Sequence, residues 1–223
     1  MTKEDEFRLN VRREYDGFTI IDKFVNIKTV TETDGSFKQI ALRTLLEKDT
    51  FEEGSSTAPM LINFGKAIAD GEENYFVNKI ITNIEKININ QKSINKEVLI
   101  DFINSVKNSE DIVILTSFEF KYDVLVANGW VNYDRDLEDF ILDIGNKKCF
   151  IYGVPNKIIQ NHIIILNKSS IKWEYKLVEG TKERLDLIIN HDAHPTKADI
   201  VARSIIKYDI LDASKIKVIQ IVE

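Results

Sequence analysis

A single cysteine, Cys149, rules out an intrachain disulfide and fits a reducing compartment. With only 3 prolines and 9 glycines, the chain has no low-complexity linker. Its longest apolar runs are about five residues, against the ~20 that a bilayer-spanning helix needs. A basic excess is also missing. The net charge of −6 gives no compositional argument for phosphate binding. Neither G-x-G-x-x-G nor G-x-x-x-x-G-K occurs, so no glycine-rich phosphate loop is encoded. A G-x-S-x-G elbow and a paired C-x-x-C are likewise lacking, which removes the commonest nucleophile and metal signatures. The opening residues Met1 to Glu6 are polar, and no apolar signal region follows them. These absences lead to the expectation of a soluble, non-secreted protein with no cofactor and no membrane partner.

What is present describes a globular chain. Hydrophobic residues make up 43 % and charged residues 30 % of the 223 positions, enough for one large domain or two small ones. Residues 1–17 are highly charged and sparse in apolar side chains. They read either as a frayed terminus or as an arm that orders on a neighbour. Residues 18–47 read as a β-hairpin, because Asp34-Gly35 separates two β-favouring runs and supports the positive φ angles of a tight turn. The hairpin tip is polar on both sides, so alone it would be marginal and is expected to lie against something.

Thr57 and Pro59 suit the start of a helix, and Leu61, Phe64 and Ile68 follow at helical spacing. Gly71 offers an end to it, yet Val77, Ile80, Ile81 and Ile84 repeat the period, and the two readings stay open. Residues 95–108 are the clearest helix, with Asn95 as cap and Leu99, Phe102, Ile103 and Val106 on one face. The runs Ile112–Leu115 and Ile163–Leu166 read as buried strands, and residues 118–128 as a further helix closing near Gly129. Ile171, Trp173, Tyr175 and Leu177 alternate, as in a strand with one buried face. Apolar runs recur at 185–189, 200–208 and 216–221. The fold class is α+β.

Candidate chemistry is thin. Cys149 sits among apolar residues and reads as a buried structural thiol. His191, Asp192 and His194 could supply three metal ligands, but the segment reads as a polar turn before Pro195. His162 stands apart from them. Glu72 and Glu73 read as solvated charges near a helix end. The acidic stretch Asp134–Asp143 lacks the EF-hand arrangement and reads as solvated surface.

The order of elements carries a resemblance. A charged arm leads to a polar hairpin, then a helix with an acidic pair, an amphipathic helix, a buried strand, a further helix and a Gly-Val-Pro strand. This order is similar to that of the major capsid proteins of tailed phages and of encapsulin shells, the Hong Kong 97 type. Ile62 through Glu73 resembles the end of that family's spine helix with its acidic pair. Val98 through Leu115, with Thr116-Ser117-Phe118-Glu119, resembles its helix, strand and following turn. Ile151-Tyr152-Gly153-Val154-Pro155 resembles its Gly-containing strand, and Ile163 through Asn167 the strand after it. Val201 through Ser204 and Asp212 through Ile216 resemble its arginine-bearing and closing strands.

The resemblance implies a self-assembling shell subunit of cytoplasm or virion, whose partners are copies of itself with packaged DNA or cargo protein inside. It implies an N-terminal arm at 1–17 and an extended loop at 18–57. A peripheral domain would comprise 58–109 with 185–223, and an axial domain 110–184. Phe37, Lys38, Ile40 and Arg43 in the loop are the candidate inter-subunit contacts. No motif allows the family's crosslinking residues to be carried over. The rival readings are a metal-dependent enzyme using His191, Asp192 and His194, and a small intracellular binding or adaptor module.

Overall fold

The structure is a computed structural model that describes residues 5–9, 13–15, 18–20, 25–31, 37–47, 57–106, 112–135, 139–144, 147–176, 185–190 and 196–222. The chain divides into two compact units, residues 1–73 with 173–207 and residues 74–172 with 208–223.

The first unit is built on one sheet. Its strands are β1 (Asp5–Leu9), β4 (Val25–Thr31), β5 (Lys38–Glu47), β12 (Ile171–Lys176), β13 (Leu185–Asn190) and β14 (Lys197–Ile210). The order is β1-β4-β5-β14-β12, with β13 also paired to β14. Strands β2 (Arg13–Tyr15) and β3 (Phe18–Ile20) form a separate antiparallel pair. The charged stretch at 1–17 therefore contributes strands, where a frayed terminus or an arm ordering on a neighbour was expected, because β1 pairs antiparallel with β4 from Asp5↔Thr29 to Leu9↔Val25.

Strands β4 and β5 pair antiparallel up to Thr31↔Lys38, as the hairpin reading expects. Asp34 and Gly35 themselves lie outside the described residues. What the ribbon lies against is its own unit. Strand β5 pairs with β14 from Lys38↔Ile206 to Glu47↔Lys197, so the ribbon is stitched into its own unit. Ile40, Ala41 and Leu42 are buried there, and Ile40 and Leu42 each contribute roughly 1.5–3 kcal/mol.

Helix α1 (Thr57–Asn83) runs for 27 residues, so Gly71 does not end it. The apolar stripe explains why: Phe64 and Ile68 continue into Phe76, Val77 and Ile80, all buried. One interior glycine costs only about 1 kcal/mol against alanine, less than that stripe returns.

The second unit is a seven-stranded sheet of order β6-β15-β11-β7-β10-β9-β8. Its strands are β6 (Lys86–Asn90), β7 (Ile112–Ser117), β8 (Asn132–Asp134), β9 (Asp139–Ile144), β10 (Lys147–Val154), β11 (His162–Asn167) and β15 (Ile216–Val222). Two neighbours run parallel, β10 with β7 and β15 with β6. Strands β7 and β11 are buried at every position, which is why they read as continuous apolar runs.

Helix α2 (Lys96–Ser105) starts where the sequence says, with Asn95 Oδ1 accepting from the Val98 N–H at 2.9 Å. It lays Leu99 and Ile103 on one sheet face, in a cluster with Ile114, Leu125, Ile151, Ile163 and Ile165. The predicted helix at 118–128 is a π-helical turn over Phe120–Val126, closed by Gly129 at φ +65°. Short helix α3 (Asn156–Ile159) buries Ile158 and Ile159. The closing strand β15 pairs with β11, so it belongs to this sheet and not with the strands at 185–210.

Candidate functional site

Of the four expected contact residues, the structure describes the side chains of Phe37 and Ile40. Ile40 is fully buried opposite Ser204, inside its own unit, and is corrected from contact candidate to core residue. Phe37 is partly buried, with Lys207 Nζ 5.9 Å from its ring centroid. For Lys38 and Arg43 the backbone alone is described: they sit in β5 opposite Ile206 and Val201 on one side and Thr31 and Asn26 on the other.

The acidic pair in α1 also differs from its solvated reading. Glu72 is buried, and its Oε1 accepts from Ser204 Oγ at 2.5 Å. Glu73 is half-buried, and burial followed by the neighbouring Asp70 carboxylate pushes its pKa up. A signal for Glu72 existed in the sequence: it falls four residues after Ile68 and eight after Phe64, on the buried stripe.

The acidic stretch is partly paired rather than merely solvated. Lys148 Nζ lies 2.7 Å from Asp134, and Lys121 Nζ lies 2.9 Å from Asp139. Lys121 is buried and also donates to the Ile151 carbonyl at 2.9 Å. Its ammonium stands 5.4 Å from the centroid of Phe140. Cys149 is fully buried, as expected. His191, Asp192 and His194 lie outside the described residues. Among the described residues, no group of three or more His, Cys, Asp or Glu is placed to hold a metal ion.

His162 begins β11 and is buried. Its Nδ1 is 3.0 Å from the Ile159 carbonyl oxygen. A carbonyl only accepts, so Nδ1 carries the proton. Burial is the main cause of a lowered pKa at this ring, with Lys86 adding to it and the Ile159 bond opposing it.

Each unit exposes large apolar side chains. In the first these are Trp173 and Ile188; in the second they include Phe118, Tyr122, Tyr133 and Leu211. Trp173 was expected inward, but β12 is an edge strand and the ring is 52 % exposed. The edge strand β6 has Ile87 exposed as well. Edge strands and exposed aromatics are surfaces that a second polypeptide can cover. No described helix is long and apolar enough to cross a membrane.

No protein-family model matches the chain, and neither does any curated protein sequence. Solved structures do match in fold. A virus-like particle from Pyrococcus furiosus superimposes with a TM-score of 0.57 at 11 % identity, covering 96 % of this chain and 86 % of that one. The holo-SrpI encapsulin complex from Synechococcus elongatus PCC 7942 gives 0.62 at 10 % identity, covering 96 % and 81 %. The capsid of a native GTA particle gives 0.57 at 8 % identity, covering 100 % and 86 %. The α+β arrangement described above is thus the fold of these shell proteins, the Hong Kong 97 type that the sequence resembles.

Proposed function

We propose that the protein is a self-assembling shell subunit, either a phage or prophage major capsid protein or the shell of an encapsulin nanocompartment. One observation carries the reading: at least 96 % of the chain aligns with the shell subunits compared, leaving little of it for a separate activity. The exposed edges and aromatic side chains of the free subunit support it, since heterologous contacts that close would cover them.

In this reading residues 58–109 with 185–223 serve as peripheral domain, 18–57 as extended loop and 110–184 as axial domain. Phe37, Lys38 and Arg43 contact neighbouring copies. Packaged DNA or a cargo protein occupies the interior, and the particle resides in the cytoplasm or as a virion. The mechanism is geometric and uses no cofactor. Negative-stain microscopy of the purified protein is expected to show closed particles of uniform size. A protein that stays monomeric in light scattering at high concentration overturns the reading.

A further inference from the structure

Strand β6 (Lys86–Asn90) is one of the two outermost strands of the second unit's sheet. Its inner side pairs with β15, and among the described residues no strand pairs with its outer side. Four of its five residues are exposed and Ile89 is partly buried, so the chain leaves this edge to solvent. Open edges are ordinarily blunted by proline, a bulge, an inward charge, a covering element or shortness. The opposite edge, β8, follows that rule with only three residues. Strand β6 is five residues long, and its one charge, Lys86, stands at its first position.

The pattern of β6 then selects the occupant. Its register sets Ile87 beside Ile219 and Ile89 beside Ile221, so both isoleucines lie on the core face, and Lys86, Asn88 and Asn90 on the other. Ile89 packs against the core, but Ile87 is 37 % exposed. A second β6 laid antiparallel, with Asn88 opposite the partner's Asn88, completes this row. Ile87 of each copy then meets the partner's Ile89, giving two isoleucine pairs on the core face. The two Asn88 amides meet on the other face, where each can donate to the other. Lys86 meets the partner's Asn90, so no like charges are opposed. A slip by one residue sets isoleucine against asparagine, and a slip by two leaves one isoleucine pair. The strand is thus complementary to itself in one register, which is what an isologous contact requires.

We propose that β6 is an interaction edge at which two copies of this chain join their seven-stranded sheets across a two-fold axis centred on Asn88. Two subunits complete the contact, so it does not rest on the shell reading. A five-residue ladder is far smaller than a standard interface of ~1,600 Å², so it forms among concentrated subunits or as one contact of a larger assembly. Cysteine trapping reads such a contact. Asn88→Cys places two thiols at the axis with Cα atoms about 4.5–5.5 Å apart, within the span of a disulfide. Lys86→Cys separates them by four residues of strand, about 13 Å, which is beyond it. Both positions are exposed, and Cys149 is fully buried, so the parent is the blank. Circular dichroism confirms that each variant is folded. Under copper–phenanthroline oxidation, read on non-reducing gels of concentrated subunits and of any assembly, Asn88→Cys should dimerise at least tenfold faster than Lys86→Cys. An equimolar mixture of Lys86→Cys and Asn90→Cys chains should link faster than either alone. Equal rates for Asn88→Cys and Lys86→Cys, or no dimer from Asn88→Cys, overturn the proposal. Microscopy scores particles separately: trapping without particles supports this contact and counts against the shell, and particles without trapping do the reverse.

Discussion

Ser204 Oγ donates to Glu72 Oε1 at 2.5 Å, and both residues are buried. The bond joins strand β14 to helix α1 across 132 positions of sequence. Ser204→Ala removes one hydrogen bond to a buried carboxylate, at a cost of ~1–3 kcal/mol. Urea unfolding of the dissociated subunits measures this loss; a Ser204→Ala variant as stable as the parent would mean that the bond contributes nothing.

The Lys121–Asp139 pair should show the asymmetry of a buried ion pair. Lys121 is 7 % exposed at its side chain and Asp139 29 %. Asp139→Asn strands a buried ammonium and should cost about 3 kcal/mol. Lys121→Met removes the buried charge itself and leaves the more accessible carboxylate, so it should cost less. Chemical denaturation of the two variants gives the order, and equal losses would count against this account.

Gly153 and Phe118 should be energetically coupled. A Cβ on Gly153 would stand 2.4 Å from Phe118 Cδ1, closer than atoms approach. Gly153→Ala therefore has to displace the ring, at a cost of ~1–3 kcal/mol. In a Phe118→Ala background the same change should be nearly neutral. A double-mutant cycle by thermal or urea unfolding reads the coupling directly, and additive effects would refute the contact.

Legibility in the sequence followed the range of the interaction. Helix α2 was readable because its cap at Asn95 and its stripe of Leu99 and Ile103 all lie within ten or so neighbours. Strands β7 and β11 were readable because burial on both faces leaves an unbroken apolar run. The ribbon was readable from Asp34-Gly35, but its partner was not, since the paired positions of β14 lie 150 or more residues away. Glu72 was misread for the same reason: its hydroxyl partner is remote, although its place on the Phe64–Ile68 stripe pointed inward. Strand β9 was hidden within acidic residues because Asp139 is neutralised by Lys121 from another element.

The depressed pKa of His162 sets a pH dependence. Its folded pKa lies below the ordinary value of 6.5, chiefly through burial, so below that pH the unfolded chain takes a proton that the folded one resists. The unfolded state then binds more protons, and stability rises with pH. This contribution is complete above pH 6.5 and declines as pH falls through the folded pKa. Urea midpoints between pH 7.5 and 5.5 should fall in the parent, and fall less in His162→Gln. An identical slope in both proteins would assign the pH dependence to other groups.

Charge reversal in the ribbon separates folding from assembly. Lys38 and Arg43 lie in β5, whose backbone is already paired on both edges, with β4 and β14. Their side chains are therefore not needed for the ladder itself. If these cations meet neighbouring copies, Lys38→Glu/Arg43→Glu replaces two attractions with repulsions, and like charges at an interface cost several kcal/mol. The double variant should keep the parent's circular dichroism and unfolding midpoint while sedimenting as free subunits. Particles of parental size from this variant would remove Lys38 and Arg43 from the interface, and loss of the folded subunit would place them in its own core.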